Sequence, residues 1–564
     1  MRRFPMLLVP AAGHLRGALA CTFALGMGLL ACGGHGGTVG FGSGGANGAS
    51  GGGSGNGVGN GGGGGNGGSF GSFGGDGGGA SSGTSTGNGA TTTADGGMIP
   101  CPPGLMCNVS CPTGSTTISG KVYDPAGKNP LYNIPVYIPA TPLQPLGKGV
   151  PMGADACSCG ALFKSGSLAA TTTAVDGTFT LTNVPVGDIS LVIQVGKWRR
   201  AIKLTTKMCQ AHPQPDKSLT LPGTLTGAGP DDNMPEIAVS TGSADTLECL
   251  MTRIGVPAAE YVAGAATTGH VHLFSGGDTA GGRFGGGGGA GTPEANPMPG
   301  APASSTDLWM TQAQLMPYDI TLLSCEGGET YNANPAALEG YLNAGGRAFG
   351  SHFHYSFFSG PLGTMQAYTA PTDWGPNLAN WTADTGNDGN GPIGGMIDTT
   401  LNGSGGPFAK GLALKQWLGI VNALGTDNVP AADLAIYQPR YNSVVVPTNL
   451  PSQPWITSDP AAGGRRGAAG MPGQTMYFSF DTPVGKGPNY CGRAVFSDLH
   501  VAGNPLINDT GNSGGRNGGG GMPPPAGCDA MADLSPQEKA LEFMLFDLSA
   551  CVIPDTVTPP MRPF

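Results

Sequence analysis

The segment YDITLLSCEGGETYNANPAALEGYLNAGGRAFGSHFHYSFF, residues Tyr318–Phe358, decides the fold of the larger part of this chain. Its opening, ITLLS, is a short apolar run closed by Gly327-Gly328, the pattern of a buried strand. NPAALEGYLNAGG follows at helical spacing, with Asn334 as N-cap, Pro335 in the first turn and Gly345 at the stop. RAFGSHFHY then reads as a second strand. Strand, helix and strand in so short a span imply parallel neighbours joined by a right-handed crossover. Ligands of such sheets bind beyond the carboxyl ends of the strands. Those ends carry Cys325 and Glu326 on one strand, and Ser351, His352 and His354 on the next.

The alternation continues on both sides. Upstream, EIAVSTG leads into SADTLECLMTRIGV, where Leu247, Leu250, Met251 and Ile254 recur at helical spacing and Asp245 with Glu248 has the form of a capping box. HVHLFSGG is a strand and LWMTQAQL a helix. Downstream, TMYFSF and CGRAVFSDLHV are strands. SPQEKALEFMLFDLSAC closes the unit as a helix with Leu541, Met544, Leu545 and Leu548 as its buried stripe and Ser535 and Glu538 as its capping box. The expectation is a flavodoxin-like doubly wound parallel sheet over residues 235–356 and 475–553, interrupted by an irregular insertion at 357–474.

A different period precedes it. TISGKVYD, IPVYIP, GTFTLTNVP and ISLVIQVGKW are short alternating runs separated by turn residues, which predicts a small antiparallel β-sandwich with a Cys-rich leader over 98–222. Pro222–Pro235 is the joint between the two units. Before the sandwich, MRRFP, the apolar stretch Leu19–Leu30 and Leu29-Leu30-Ala31-Cys32 have the form of a lipoprotein signal peptide, residues 1–31. Cleavage leaves Cys32 for lipidation, so the membrane is the expected partner and the protein is expected to be exported and anchored at the cell envelope, at the outer membrane or cell surface. Residues 32–97 are about half glycine and read as a disordered tether, with a span of roughly 45 Å from chain statistics.

Thirteen cysteines are present; cleavage removes Cys21 and acylation takes Cys32, leaving an odd number in an oxidising compartment. Disulfides are the expected use, with at least one thiol over. Neither CPPGLMCNVSC nor the Cys157/Cys159 pair matches a paired CxxC zinc arrangement. A net charge of −10 without any Lys/Arg cluster excludes a nucleic-acid-binding surface of the usual kind.

Two resemblances extend this reading. GKVYDPAGKNPLYNIPVYI followed by TTTAVDGTFTLTNVPVG resembles the carboxypeptidase regulatory-like domain, a transthyretin-like β-sandwich, which implies an accessory module without catalytic residues. The insertion from Ala140 to Ser167 departs from that pattern. The run YDITLLSCEGG, helix, GGRAFGSHFHY, with the later GRAVFSDLH, resembles the trehalose-utilisation (ThuA-like) branch of the class I glutamine amidotransferase-like superfamily. Where amidotransferases place their nucleophilic cysteine, this chain has Gly350, Ser351 and His352, so glutaminase chemistry is not carried over. VSTGSADTLECLMTRIG, LLSCEG and LSPQEKALEFMLFDLSAC together resemble a group of secreted bacterial proteins with the same two-part layout.

Five of the eight histidines, His270, His272, His352, His354 and His500, lie on strands or strand ends of the second unit. Alternation along a strand would put His352 and His354 on one face, and Asp498 with His500 on theirs. His352, His354, His500 and Asp498 are thus a candidate set for a divalent metal such as Zn²⁺. A second option makes Cys325 a nucleophile with His352 or His354 as base and Glu326 or Asp498 as orienter. A third is that these side chains only pack. Two functions follow: a binding or scaffolding role toward a carbohydrate or peptide, using Trp374, Trp381, Trp417 or Trp455, or a metal-assisted or acid–base hydrolase. The hydrolase requires His352, His354, Asp498 and His500 to converge; the binding role requires exposed tryptophans.

Overall fold

A computed structural model describes residues 100–242, 245–276, 303–330, 332–363, 368–383, 393–425, 432–459, 473–487, 489–501 and 530–559. The expected signal peptide, Cys32 and the tether lie outside the described residues.

The first unit pairs two four-stranded sheets. β1 (Thr117–Tyr123), β4 (Thr178–Leu181), β7 (Ala211–Pro213) and β8 (Leu219–Thr220) form one; β2 (Pro135–Pro139), β3 (Ser167–Thr172), β5 (Gly187–Val195) and β6 (Trp198–Thr206) form the other, in the order β3-β2-β5-β6. Phe179 and Leu181 turn inward while Thr178 and Thr180 face water, so period-two alternation decides which face is buried. β7 and β8 run parallel to β1 and the remaining pairs are antiparallel. Gly177, at φ +78°, makes the tight turn into β4, where a Cβ would lie 2.8 Å from the Val122 carbonyl oxygen. Cys101–Cys107 closes a small loop within the leader, and Cys111–Cys209 staples the leader to this unit.

The second unit is built on β9 (Ile237–Thr241), β10 (Tyr261–Ala263), β11 (Val271–Ser275), β13 (Ile320–Leu323), β14 (Arg347–Ser351) and β21 (Gly492–Ser497), mutually parallel in the order β10-β11-β9-β13-β14-β21, with the short β12 (Ala303–Ser304) also on β11. Past β21 the sheet continues with β20 (Thr475–Thr482), β19 (Ser452–Ser458), β16 (Ile393–Ile397) and β17 (Leu434–Ile436), all antiparallel to their neighbours; β15 (Asn380–Trp381) pairs separately with β18 (Ser443–Val444). The all-parallel expectation is therefore corrected to a mixed sheet. Residues 483–491 are too short for a crossover, which needs a dozen or more residues, so β20 and β21 close as a hairpin. The insertion is not irregular: it contributes three strands of this sheet and one helix of its cover.

Helices cover both faces. On one lie α1 (Leu247–Arg253), α6 (Ala409–Ile420) and α7 (Pro536–Ser549); on the other lie α2 (Thr306–Trp309), α3 (Gln312–Leu315), α4 (Pro335–Asn343) and α5 (Tyr355–Ser359). Ile237, Val239 and Phe349 pack toward the first set, Ala238, Leu323 and Ala348 toward the second. This double burial explains why the strands read as unbroken apolar runs. The caps of α4 at Asn334 and of α7 at Ser535 with Glu538 form as expected. The box expected at Asp245 does not: Thr246 is the N-cap of α1 and makes no side-chain cap, because the Asp245 carboxylate is engaged elsewhere.

The two units share one core. Ile118, Leu191 and Trp198 of the sandwich belong to the same buried cluster as Ile237 and Phe543, and Trp198 lies against Phe546. Lys197 pairs with Asp319 across the joint at 2.6 Å. Cys157–Cys491 and Cys159–Cys551 fasten the long sandwich insertion to the second unit. Cys249 is also disulfide-bonded, and Cys325 is the free, buried thiol among the described residues. No helix among the described residues is long and apolar enough to cross a membrane.

Candidate functional site

Register brings the chemistry of the second unit into line. Ser275 stands beside Thr241, Ser351 beside Ser497, and Leu323 beside both Ser240 and Gly350. Continued by one residue, the register gives a row of hydroxyls, Ser275, Thr241, Ser324, Ser351 and Ser497, across the carboxyl edge of five strands. The next residue on each strand yields Gly276, Gly242, Cys325, His352 and Asp498. Gly242 is required at its position, since a Cβ there would collide with the Cys325 carbonyl.

β14 ends at Ser351, and His352 takes φ +46°, turning the chain into a 3₁₀ turn that runs into α5. A left-handed residue between strand and helix reverses the local direction, and the His352 ring comes to lie beside Cys325. Nδ1 of His352 is 3.3 Å from Cys325 Sγ and 3.1 Å from His500 Nε2. The three ligand-type atoms lie within 4.8 Å of one another, and the residues are 0%, 2% and 4% exposed for Cys325, His352 and His500.

His354 and Asp498 do not join this set, which corrects the four-residue grouping of the sequence. The strand ends before His352, so alternation no longer applies and the two imidazoles diverge. His354 sits between Trp309 and Phe357, with Nδ1 3.3 Å from the Ser351 carbonyl and Nε2 3.4 Å from Glu326 Oε1. Asp498 Oδ2 accepts from the backbone amides of Asn442 and Ser443 and from Ser443 Oγ, at 2.7, 2.8 and 3.1 Å. Burial pushes the Asp498 carboxyl up to about 7 despite these donors. Its carboxylate is a peg that docks the insertion loop. His270 and His272 lie apart from the cluster, paired with Glu260 at 2.6 Å and Glu236 at 2.7 Å.

The docked loop completes the site. Nδ1 of His500 is 2.9 Å from Gln438 Oε1 and 3.1 Å from Arg440 Nη2, and Gln537 of α7 donates to the His500 and Val501 carbonyls. These two partners at Nδ1 demand opposite tautomers. An Nδ1–H donating to Gln438 leaves the Nε2 lone pair facing His352 and Cys325, the orientation a metal ligand needs. An Nδ1 accepting from Arg440 puts the proton on Nε2, which then donates to His352. Burial, with Arg440 and His352 beside it, holds the His500 pKa well below the usual imidazole range, so the ring is neutral at pH about 7 in either case. Burial likewise pushes the Cys325 thiol up to about 12, which disfavours an unassisted thiolate nucleophile.

Gln438, Arg440 and Gln537 escaped the sequence reading. For Gln438 and Arg440 the hint is the polar run QPRYN inside a segment otherwise without periodicity, and Gln537 sits in the first turn of the C-terminal helix, where nothing local sets it apart. The tryptophans expected to line a groove are instead core: Trp374, Trp417 and Trp455 are at most 1% exposed, and Trp381 is half-buried against Phe496. Comparison with protein-family models, with curated proteins and with solved structures gives no match.

Proposed function

We propose that the chain is an exported envelope lipoprotein whose ThuA-like α/β unit holds a divalent metal ion, Zn²⁺ foremost, at Cys325, His352 and His500 and uses it for hydrolysis, with the sandwich as a carboxypeptidase regulatory-like accessory module. The convergence of Cys325 Sγ, His352 Nδ1 and His500 Nε2 carries this reading. With Zn–S of 2.3 Å and Zn–N of 2.0–2.1 Å, the edges of a tetrahedron measure about 3.3–3.6 Å; the Cys325–His352 and His352–His500 edges here are 3.3 and 3.1 Å. Three protein ligands leave the fourth position for water, the arrangement of catalytic rather than structural zinc. The ion would supply Lewis acidity to that water. Cys325 would bind as thiolate, both imidazoles as neutral ligands, and Gln438 would hold the His500 tautomer by accepting its Nδ1–H. The scaffolding alternative loses its groove with the buried tryptophans.

Metal analysis of the purified mature chain tests the reading. Close to one Zn²⁺ per chain is expected for wild type, with affinity reduced at least about tenfold in Cys325→Ser, His500→Gln and His352→Asn. Asn is chosen at 352 because it tolerates a positive φ. A folded wild-type protein that takes up no Zn²⁺ on dialysis against it would overturn the proposal.

A further inference from the structure

We infer that Asp245 is the positioning residue of this centre: a single carboxylate oxygen holds the two histidine-bearing segments at their spacing. The inference rests on the metal reading above and concerns a residue that touches none of the three ligand atoms in the hydrogen bonds described. Asp245 Oδ2 accepts from Ser351 Oγ at 2.8 Å and from the Val501 backbone amide at 3.0 Å. Ser351 immediately precedes His352, and Val501 immediately follows His500. One oxygen therefore joins the end of β14 to the chain beyond β21, and the two contacts flank the imidazoles that meet 3.1 Å apart.

The other carboxylate oxygen is also used. Oδ1 accepts from the Thr246 amide at 3.2 Å, at the N-cap of α1, which orients the group. Asp245 is fully buried, so these donors replace water rather than compete with it. A carboxylate suits the position because it accepts at both oxygens and donates at neither. An amide supplies one acceptor oxygen and directs an NH₂ group at a donor. The fixed point matters because His352 has left the strand ladder at φ +46° and His500 lies three residues past the end of β21. His500 is tied by its backbone amide to the Gln438 carbonyl of the docked loop at 3.3 Å and by its own carbonyl to Gln537 of α7, whereas the Asp245 contacts join its segment to the end of β14 that carries His352.

Groups behind the ligands of a metal site typically change affinity by about 10–100-fold when removed. Co²⁺ is the probe, because its ligand-field bands report tetrahedral geometry and a thiolate charge-transfer band reports Cys325 separately. In the mature full-length chain, Asp245→Asn is expected to weaken Co²⁺ and Zn²⁺ binding about 10–100-fold and to flatten the tetrahedral bands, while the thiolate band persists. Ser351→Ala, which removes one of the two contacts and keeps the carboxylate, is expected to give a smaller loss in the same direction. It serves as the test should Asp245→Asn fail to fold. Wild-type affinity and an unchanged cobalt spectrum in folded Asp245→Asn, or in Ser351→Ala if that alone folds, would overturn the inference and leave the metal reading standing. A wild-type protein without Co²⁺ uptake would overturn both.

Discussion

At the scale of single residues, the state of Cys325 decides what the site can do. A thiol pushed up to about 12 by burial keeps its proton at neutral pH, and only a cation at the site gives its thiolate a reason to form. Binding of Zn²⁺ to the cation-free protein at pH about 7 should therefore release close to one proton per ion. Calorimetry in buffers of different ionisation enthalpy measures that number; no proton release would show that the thiol is not a ligand. His352 illustrates what one residue's sequence context conceals. Its neighbours in GSHFHY read as strand, yet a positive φ at His352 itself ends the strand and separates it from His354. Positive φ is uncommon outside glycine, and histidine's enrichment there does not single out His352 among the five histidines of this unit, so its partner could be found only through the packing around it.

At the scale of elements, α7 links the site to the rest of the protein. Its first turn holds the His500 carbonyl through Gln537, and Glu538 caps the helix while forming a two-pronged pair with Arg253 of α1. Both members of this pair are almost completely buried. Glu538→Gln is expected to cost about 3–5 kcal/mol by leaving the Arg253 charge uncompensated, and Arg253→Met combined with it to recover much of the loss. Chemical denaturation of the single and double variants decides the matter; additive losses would refute the coupling.

One helical turn further, Glu542 accepts from Asn129 at 2.7 Å and shares its surroundings with Asp124, while the Lys128 amide donates to Asp124 and Lys539 lies nearby. Burial raises both carboxyls, Asp124 to about 6 and Glu542 well above its ordinary value. Folded, the pair holds protons more tightly than unfolded, so its contribution is complete below about pH 4 and is lost as pH rises through about 6 and beyond. Glu542→Gln should flatten the fall in melting temperature between about pH 5 and pH 8; an unchanged pH profile would sink this account. The helix itself was legible from its stripe and caps, whereas a carboxyl pair joining positions 124 and 542 has no signature in either neighbourhood.

At the scale of the whole molecule, the sandwich is part of the α/β unit's core, and two disulfides clamp them. The turns Gly153–Asp155 and Cys159–Phe163 bury no residue, and Cys157–Cys491 and Cys159–Cys551, which span sequence separations of 334 and 392, tie this segment to the second unit. Replacing Cys157 and Cys159 by serine should lower stability by about 2–4 kcal/mol per bridge and expose the segment to limited proteolysis. Wild-type melting and protease resistance would show the clamp to be dispensable. The sequence by itself determined the existence and type of most elements, the parallel neighbours around Tyr318–Phe358, the demand for disulfides and the edge where the chemistry gathers, because periodicity, caps and strand ends are local properties. Tertiary structure alone decided the antiparallel half of the sheet, the disulfide partners, and the choice of Cys325, His352 and His500 over His354 and Asp498. Those outcomes depend on the length of the connection between β20 and β21, a backbone reversal at His352 and a loop drawn in by the Asp498 carboxylate, and each brings together atoms far apart in the chain.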